Sequence, residues 1–338
     1  LKNIKSLTLF MIFILMFTLF TGCSSGGNQD TNSSAKGKVV LKLGHTGAPD
    51  HHYQEASLMF AKKVAEKTNN LVEIKVFPSD QLGKQNELIE GAQLGTVDMV
   101  LTSDVQLSSF EPLLGVVNLP FLFKDFDHVT KVFNGPVGDK LAAALDKKGL
   151  TVLGWWENGF RHITNSKRPI NTPADLKGLK IRTPNGAVFV DTFNMLGASA
   201  TPMSFGELYS ALQLKTVDGQ ENPTTHILTQ KYYEVQSYLS LSNHIHVVEP
   251  LLISKVVYEK LSSEYQKALK EAAKEVSIWE FEKVKTMEAG EIEELKKKGM
   301  KVNTVNLQAF QEATKEIYAK YEPKFTKELI EEIRAAGK

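Results

Sequence analysis

The stretch Trp155–Arg182, WWENGFRHITNSKRPINTPADLKGLKIR, gathers residue types suited to holding an organic acid. A guanidinium presents a rigid planar fork of donors that matches a carboxylate, and Arg161 and Arg182 stand at strand-linked positions where that fork can face a crevice. Spacing alone leaves each arginine also readable as a solvated surface residue. Trp155, Trp156 and Phe160, or Phe205 and Tyr209 further on, could wall such a crevice, although each taken singly also suits a core. Asp218-Gly219-Gln220-Glu221-Asn222-Pro223 reads as a polar turn between a strand and a helix, the place where ligands sit in open α/β sheets.

Other chemistry is sparse. The sequence holds no hydrolase elbow, no HExxH, no Walker loop and no CxxC, and no nucleophile–base pair is visible, so it reads as a non-enzyme. Among eight histidines, His51 and His52 are adjacent and point apart, while His244 and His246 share a face only on a strand. Both pairs read as polar surface or strand-edge residues; neither a metal nor a cofactor is expected.

Positioning these groups requires a scaffold, and the pattern supplies a mixed α/β one. Val39–Leu43 and Leu71–Phe77 alternate as strands around a helical Tyr53–Lys67. The rhythm continues with a helix over Glu87–Gly95, a strand over Val97–Leu101, one helix over Val129–Lys148 and a strand over Thr151–Trp156, and it implies a mostly parallel sheet. A second run offers Thr172-Pro173 as a helix start, a strand over Lys180–Arg182 and a helix over Gly186–Leu196. A serine-capped helix over Ser204–Leu214 follows. Tyr238–Ile253 is strand-like and long enough to run between two bodies. Ser262–Lys298 repeats apolar residues at helical spacing and is long enough to bridge them.

The N-terminus speaks to location. Lys2 and Lys5 precede an apolar run from Leu7 to Phe20, and Phe-Thr-Gly then leads into Cys23, the only cysteine. This is a secretory signal ending in a lipobox-like site, which leaves Cys23 for acylation and the protein lipid-anchored on the outer face of the cytoplasmic membrane. Ser24–Lys38 lacks bulky apolar residues and reads as a flexible tether with a reach of about 20 Å. Without the leader, 38 basic residues face 39 acidic ones, a balance that argues against nucleic acid as a partner. About 315 residues without disulfides call for two domains.

Several motifs recur together in one known family. Gln81-Leu82-Gly83, Asn158-Gly159-Phe160-Arg161, the run Asp175 to Arg182, Gly197-Ala198-Ser199 and the stretch Val217 to Pro223 make the chain resemble the solute-binding receptors of tripartite ATP-independent periplasmic (TRAP) transporters. The resemblance implies a periplasmic-binding-protein fold, two α/β lobes joined by crossing strands and a long lobe-spanning helix. On that plan residues 1–22 are the signal, 23–38 the tether, 39–158 with 248–287 one lobe, and 159–247 with 288–338 the other. It further implies that Arg182 salt-bridges a ligand carboxylate, that Arg161, Asn185 and Asn222 touch the ligand, and that Thr46, Ser103, Phe205 and Glu221 line the pocket. Ser103 stands where sialic-acid receptors of the family carry glutamate, which argues against sialic acid and leaves C4-dicarboxylates and sugar acids. His45, Thr46 and Asp104 could then bond sugar hydroxyls. The implied partners are one small and one large membrane subunit, with the receptor itself a monomer. A sensory binding protein that reports the acid without transport is the alternative.

Overall fold

The computed structural model describes residues 37–338, so the leader, Cys23 and all but the end of the tether lie outside the described residues. From Val39 the elements are β1 (Val39–Gly44), α1 (His52–Lys67), β2 (Val72–Phe77), α2 (Gln85–Leu94), β3 (Met99–Leu101) and a short α3 (Asp104–Leu107). Next come α4 (Phe126–Phe133), α5 (Pro136–Asp146) and the long β4 (Leu150–Phe160). The single helix expected over Val129–Lys148 is thus two. Pro136 has no amide hydrogen with which to continue α4, and it opens α5 in the first turn, where that lack is harmless.

The second run comprises β5 (His162–Asn165), β6 (Lys180–Thr183), α6 (Ala187–Met195), β7 (Ser199–Pro202), α7 (Leu208–Gln213), β8 (Gly219–Asn222), α8 (Thr224–Thr229) and β9 (Tyr238–Leu241). After it come β10 (His246–Ser254), α9 (Lys255–Tyr258), α10 (Ser263–Lys297), β11 (Lys301–Thr304), α11 (Leu307–Phe325) and α12 (Lys327–Ala336). Two readings change here. A 3-10 turn at Phe205–Glu207 precedes α7, and the Ser204 side chain makes no cap bond. The supposed polar turn at Asp218–Pro223 is mostly β8, a buried strand between β5 and β6 whose polar side chains are satisfied inside the protein.

Two sheets result, with orders β2-β1-β3-β10-β4 and β11-β9-β5-β8-β6-β7. β1 runs parallel to β2 and β3, and β6 parallel to β7 and β8, as the βα rhythm requires. β10 is antiparallel to both of its neighbours, and so is β5. These are the strands that cross: β4 leads through Arg161 into β5, and β9 leads through Ser242–Ile245 back into β10. The Arg161 N–H donates to the Ile245 carbonyl at 3.0 Å, so the two crossings are tied where they pass.

The first sheet is buried on both faces, and alternate residues feed different cores. Trp156, Leu251 and Ile253 pack with α1 and α10, while Trp155 and Leu252 pack with α5, α11 and α12. The Gly154-to-Phe160 aromatics therefore pack into the cores and do not line the cleft between the sheets. The second sheet likewise separates Ile163, Ile181 and Phe193 from Leu212, Ile227 and Leu239. α10, thirty-five residues and about 50 Å long, packs on α1 and β4 and also on α8. Residues 288–338 divide between the bodies: β11 pairs with β9, whereas α12 packs on α4 and α5 beside the first sheet.

Two glycines test this packing in opposite directions. A methyl at Gly219 in β8 would overlap the Thr164 carbonyl oxygen and crowd Asn165 at 2.8 Å, whereas Gly290, exposed within α10, has open space around it. Urea unfolding should show Gly219→Ala destabilised by about 1–3 kcal/mol and Gly290→Ala stabilised by up to about 1 kcal/mol. Loss of stability in both would contradict the assigned packing.

Candidate functional site

Between the two sheets lies a cleft at the carboxyl ends of the parallel strands. Thr46 follows β1, Ser103 follows β3 and caps α3, Arg182 lies in β6, Asn185 follows it, and Asn222 ends β8. This is where strand-to-helix turns leave room for a ligand in an α/β sheet. The cleft has a deep chamber of about 30 Å³ and an outer chamber of about 210 Å³, with Thr46, Gln85, Gln106 and Phe205 bordering both.

Arg182 is the dominant charge of the deep chamber. Its side chain is 1 % exposed, and it donates Nε–H and Nη2–H to the Met203 carbonyl at 3.0 and 2.7 Å. No carboxylate among the described residues comes within ion-pair distance of it. Burial pushes its guanidinium down to about 10, which still leaves it charged at neutral pH.

Arg161 lines the same chamber but is already neutralised. It donates Nε–H to Glu221 Oε2 at 2.6 Å and Nη2–H to Glu221 Oε1 at 3.0 Å, with further bonds to Asn158 and Asn222 oxygens at 3.1 and 2.9 Å. Burial alone would raise the Glu221 carboxyl, yet the Arg161 charge and His244 hold it below its ordinary value. Glu221 does not line the cleft: it stands behind Arg161 and fixes the orientation of the fork. Asn222 does line it, with its Oδ1 and Nδ2 already engaged by Arg161 and Gln220.

The remaining walls come from both lobes. Phe205 tilts against His226 at 4.9 Å between ring centres, and Thr46, Ser103 and Pro184 complete the deep chamber with Asn158 and Glu249. The outer chamber adds Asp80, Lys84, Asn86, Glu87, Asn185 and Ser204. Two contacts beside it join the lobes: Lys84 Nζ reaches Glu207 Oε1 at 2.7 Å, and Ser109 Oγ donates to the Asn185 carbonyl at 3.4 Å.

Of the expected site residues, Arg182, Arg161, Asn222, Asn185, Phe205, Thr46 and Ser103 come together. His45 and Asp104 do not join them. His45 is turned to Gln54 at 2.9 Å, and Asp104 accepts from Asn118 and from the Val248 amide. Tyr209 points away to Glu234. The histidine pairs are not surface residues either: His51, His52, His244 and His246 are all buried, and His51 stacks on His226. Burial holds His51 and His226 well below the usual histidine range, so both stay neutral. Sequence reading missed Asp80, Gln106, His226 and Glu249. For Glu249 a signal existed, an acid inside the otherwise apolar run VVEPLLI of its strand.

Comparison with known proteins agrees with this geometry. The family model for bacterial extracellular solute-binding proteins, family 7, matches residues 43–324. A crystal structure of a TRAP periplasmic solute-binding protein from Polaromonas sp. JS666, bound to D-erythronate, superposes with a TM-score of 0.86 at 41 % identity, covering 88 % of this chain and 99 % of that one. The 2,3-diketo-L-gulonate-binding periplasmic protein of Escherichia coli (strain K12) is 36 % identical across 83 % of this chain and 86 % of its own. The C4-dicarboxylate-binding protein DctB of Bacillus subtilis (strain 168) is 32 % identical across 98 % of both. With the two-lobed fold and the buried arginine cleft, these matches show that the chain belongs to family 7 of the bacterial extracellular solute-binding proteins, as a TRAP solute-binding receptor.

Proposed function

We propose that the chain is the extracytoplasmic receptor of a TRAP transporter for a short sugar acid, a monocarboxylate bearing several hydroxyls. The charge of the outer chamber carries this reading. Asp80 and Glu87 line it, and Lys84, its one lysine, is already held by Glu207. The first turn of α2 adds a partial positive charge of roughly half a unit, too little to offset these acids. The second carboxylate of a dicarboxylate would therefore enter a field of its own sign. Hydroxyls suit the chamber better. Asp80 Oδ1 is buried without a partner and can accept from them, and Gln106 Oε1 is similarly unpartnered. Burial pushes the Asp80 carboxyl up only to about 6, so it remains an acceptor at neutral pH.

Capture follows from closure. The ligand carboxylate meets Arg182 in the deep chamber, its hydroxylated chain lies along the outer chamber, and the lobes around the two sheets close over it through contacts such as Lys84 with Glu207. Micromolar affinity needs about −8 kcal/mol, and charge-assisted hydrogen bonds contribute roughly 1.5–3 kcal/mol each, so a few bonds from Arg182 and its neighbours suffice before closure costs. Arg161, Asn185, Asn222, Phe205, Thr46 and Ser103 complete the contact surface. No catalysis is assigned to the chain. Acylated Cys23 holds this monomeric receptor at the outer face of the membrane, and the tether lets it reach the small and large membrane subunits that accept the acid.

Calorimetric titration of the purified protein tests the ligand class. D-Erythronate or D-galactonate should bind with micromolar Kd, and succinate and malate at least about tenfold more weakly. Succinate binding as tightly as the best sugar acid would overturn the assignment. For the anchor, Cys23→Ala expressed with its own leader should move from the membrane fraction to the soluble extracytoplasmic fraction. Retention on the membrane would show that something else holds it there.

A further inference from the structure

Glu249 is an acid inside a receptor for acids. It sits in β10, a strand whose nine residues are all buried, and its carboxyl is 1 % exposed yet lines the deep chamber beside Arg161 and Arg182. Neither arginine neutralises it. Arg161 is engaged by Glu221, and among the described residues no cation stands within ion-pair distance of Glu249. Its partners are neutral donors: Asn158 Nδ2–H at 3.2 Å, and the Tyr53 hydroxyl. Glu249 and Arg182 line the same chamber of about 30 Å³, so a carboxylate seated on Arg182 would share that small space with Glu249. Where two carboxylates share one buried site, ionising both is strongly disfavoured and one keeps a proton.

We propose that Glu249 holds a proton in the ligand-bound state and donates it as a hydrogen bond to the captured anion. The positioning then has two halves, with Arg182 supplying charge and Glu249 supplying a neutral donor across the same small chamber. This rests on the reading that an organic carboxylate occupies the deep chamber. Where Glu249 is ionised in the empty cleft, it takes one proton from solvent as the ligand binds.

The groups facing Glu249 come from every neighbouring element. Tyr53 of α1, Asp104 of α3, Glu280 of α10, His226 of α8 and Arg161 at the crossing surround it. Burial pushes Glu249 up to about 8 in the empty protein, and Asp104, behind the chamber wall, to about 7. An adjacent ligand anion raises Glu249 further. A group whose pKa is higher in the bound state favours binding at low pH, and that advantage is lost as pH rises through its value in the free protein.

The test is calorimetric titration from pH 6.5 to 9 in pairs of buffers with different ionisation enthalpies, using whichever of D-erythronate, D-galactonate and succinate binds tightest. For wild type, Kd should rise about tenfold over this range, and proton uptake per ligand should grow from near zero toward one. Glu249→Gln carries its donor permanently, so its Kd should be flat and its proton uptake near zero. Asp104→Asn should keep the wild-type pH dependence. A flat wild-type Kd without proton uptake overturns the proposal, as does a Glu249→Gln profile parallel to wild type, which would assign the titration elsewhere. Binding by none of the three acids would instead sink the organic-acid reading on which the proposal stands.

Discussion

Arg182 carries its guanidinium into the interior with two N–H groups fixed on the Met203 carbonyl and, among the described residues, no carboxylate within ion-pair distance. Burying an ion without its partner is costly, and the usual remedy is the one Arg161 shows, a bidentate carboxylate on the same fork. Arg182 has no such partner among the described residues, and under the proposed function that difference sets their roles. Arg161 with Glu221 is a neutral unit that shapes the wall, and Arg182 is a charge with no counter-ion among the described residues. The rest of the cleft is arranged around these two: a small deep chamber lined by both arginines, and an outer one lined by Asp80 and Glu87.

Holding such a site between two bodies requires that they keep register. α10 serves this end through its acids. Glu280 accepts the Glu157 amide at 2.6 Å and contacts His52 Nδ1 at 2.8 Å on the first body. On the second body, Glu291 accepts from the Thr224 and Thr225 hydroxyls, and Glu288 contacts His162 Nε2 at 2.6 Å. One continuous helix is thus pinned to both halves by buried polar contacts, which are directional in a way that apolar packing is not. Asn158 lies where these halves meet the ligand chamber, bonded to Tyr53, Glu249 and Arg161. A polar chain of this kind links the chamber to the crossing strands.

The sequence revealed the scaffold more readily than the wiring behind the site. Strands such as Val39–Gly44 and Val72–Phe77, and the helix beginning at Ser263, announce themselves because burial on one or both faces imposes a period on the apolar residues. Arg182, Asn222 and Phe205 were found from motif resemblance, and the fold brings them together. β8 escaped because Gly-Gln-Glu-Asn carries no apolar signal: it is buried through its hydrogen bonds, which depend on β5 and Arg161 far along the chain. Glu221 was placed in the pocket by the family resemblance, and no local pattern says that an acid will turn inward to hold an arginine. The buried histidines misled likewise. Their polarity suggests surface, and only the tertiary fold shows His51 stacked on His226. Pro136, by contrast, was a visible break signal within Val129–Lys148.

The central claim is that the unpaired charge of Arg182 anchors the ligand. It is tested most directly by thermal unfolding of wild type and of Arg182→Met, each with and without the tightest-binding acid. At a hundred times its Kd a ligand adds about 2.7 kcal/mol to wild-type stability, enough to raise Tm by a few degrees. The account predicts that this shift appears in wild type and vanishes in Arg182→Met. A shift of wild-type size in the variant would show that the carboxylate is held elsewhere.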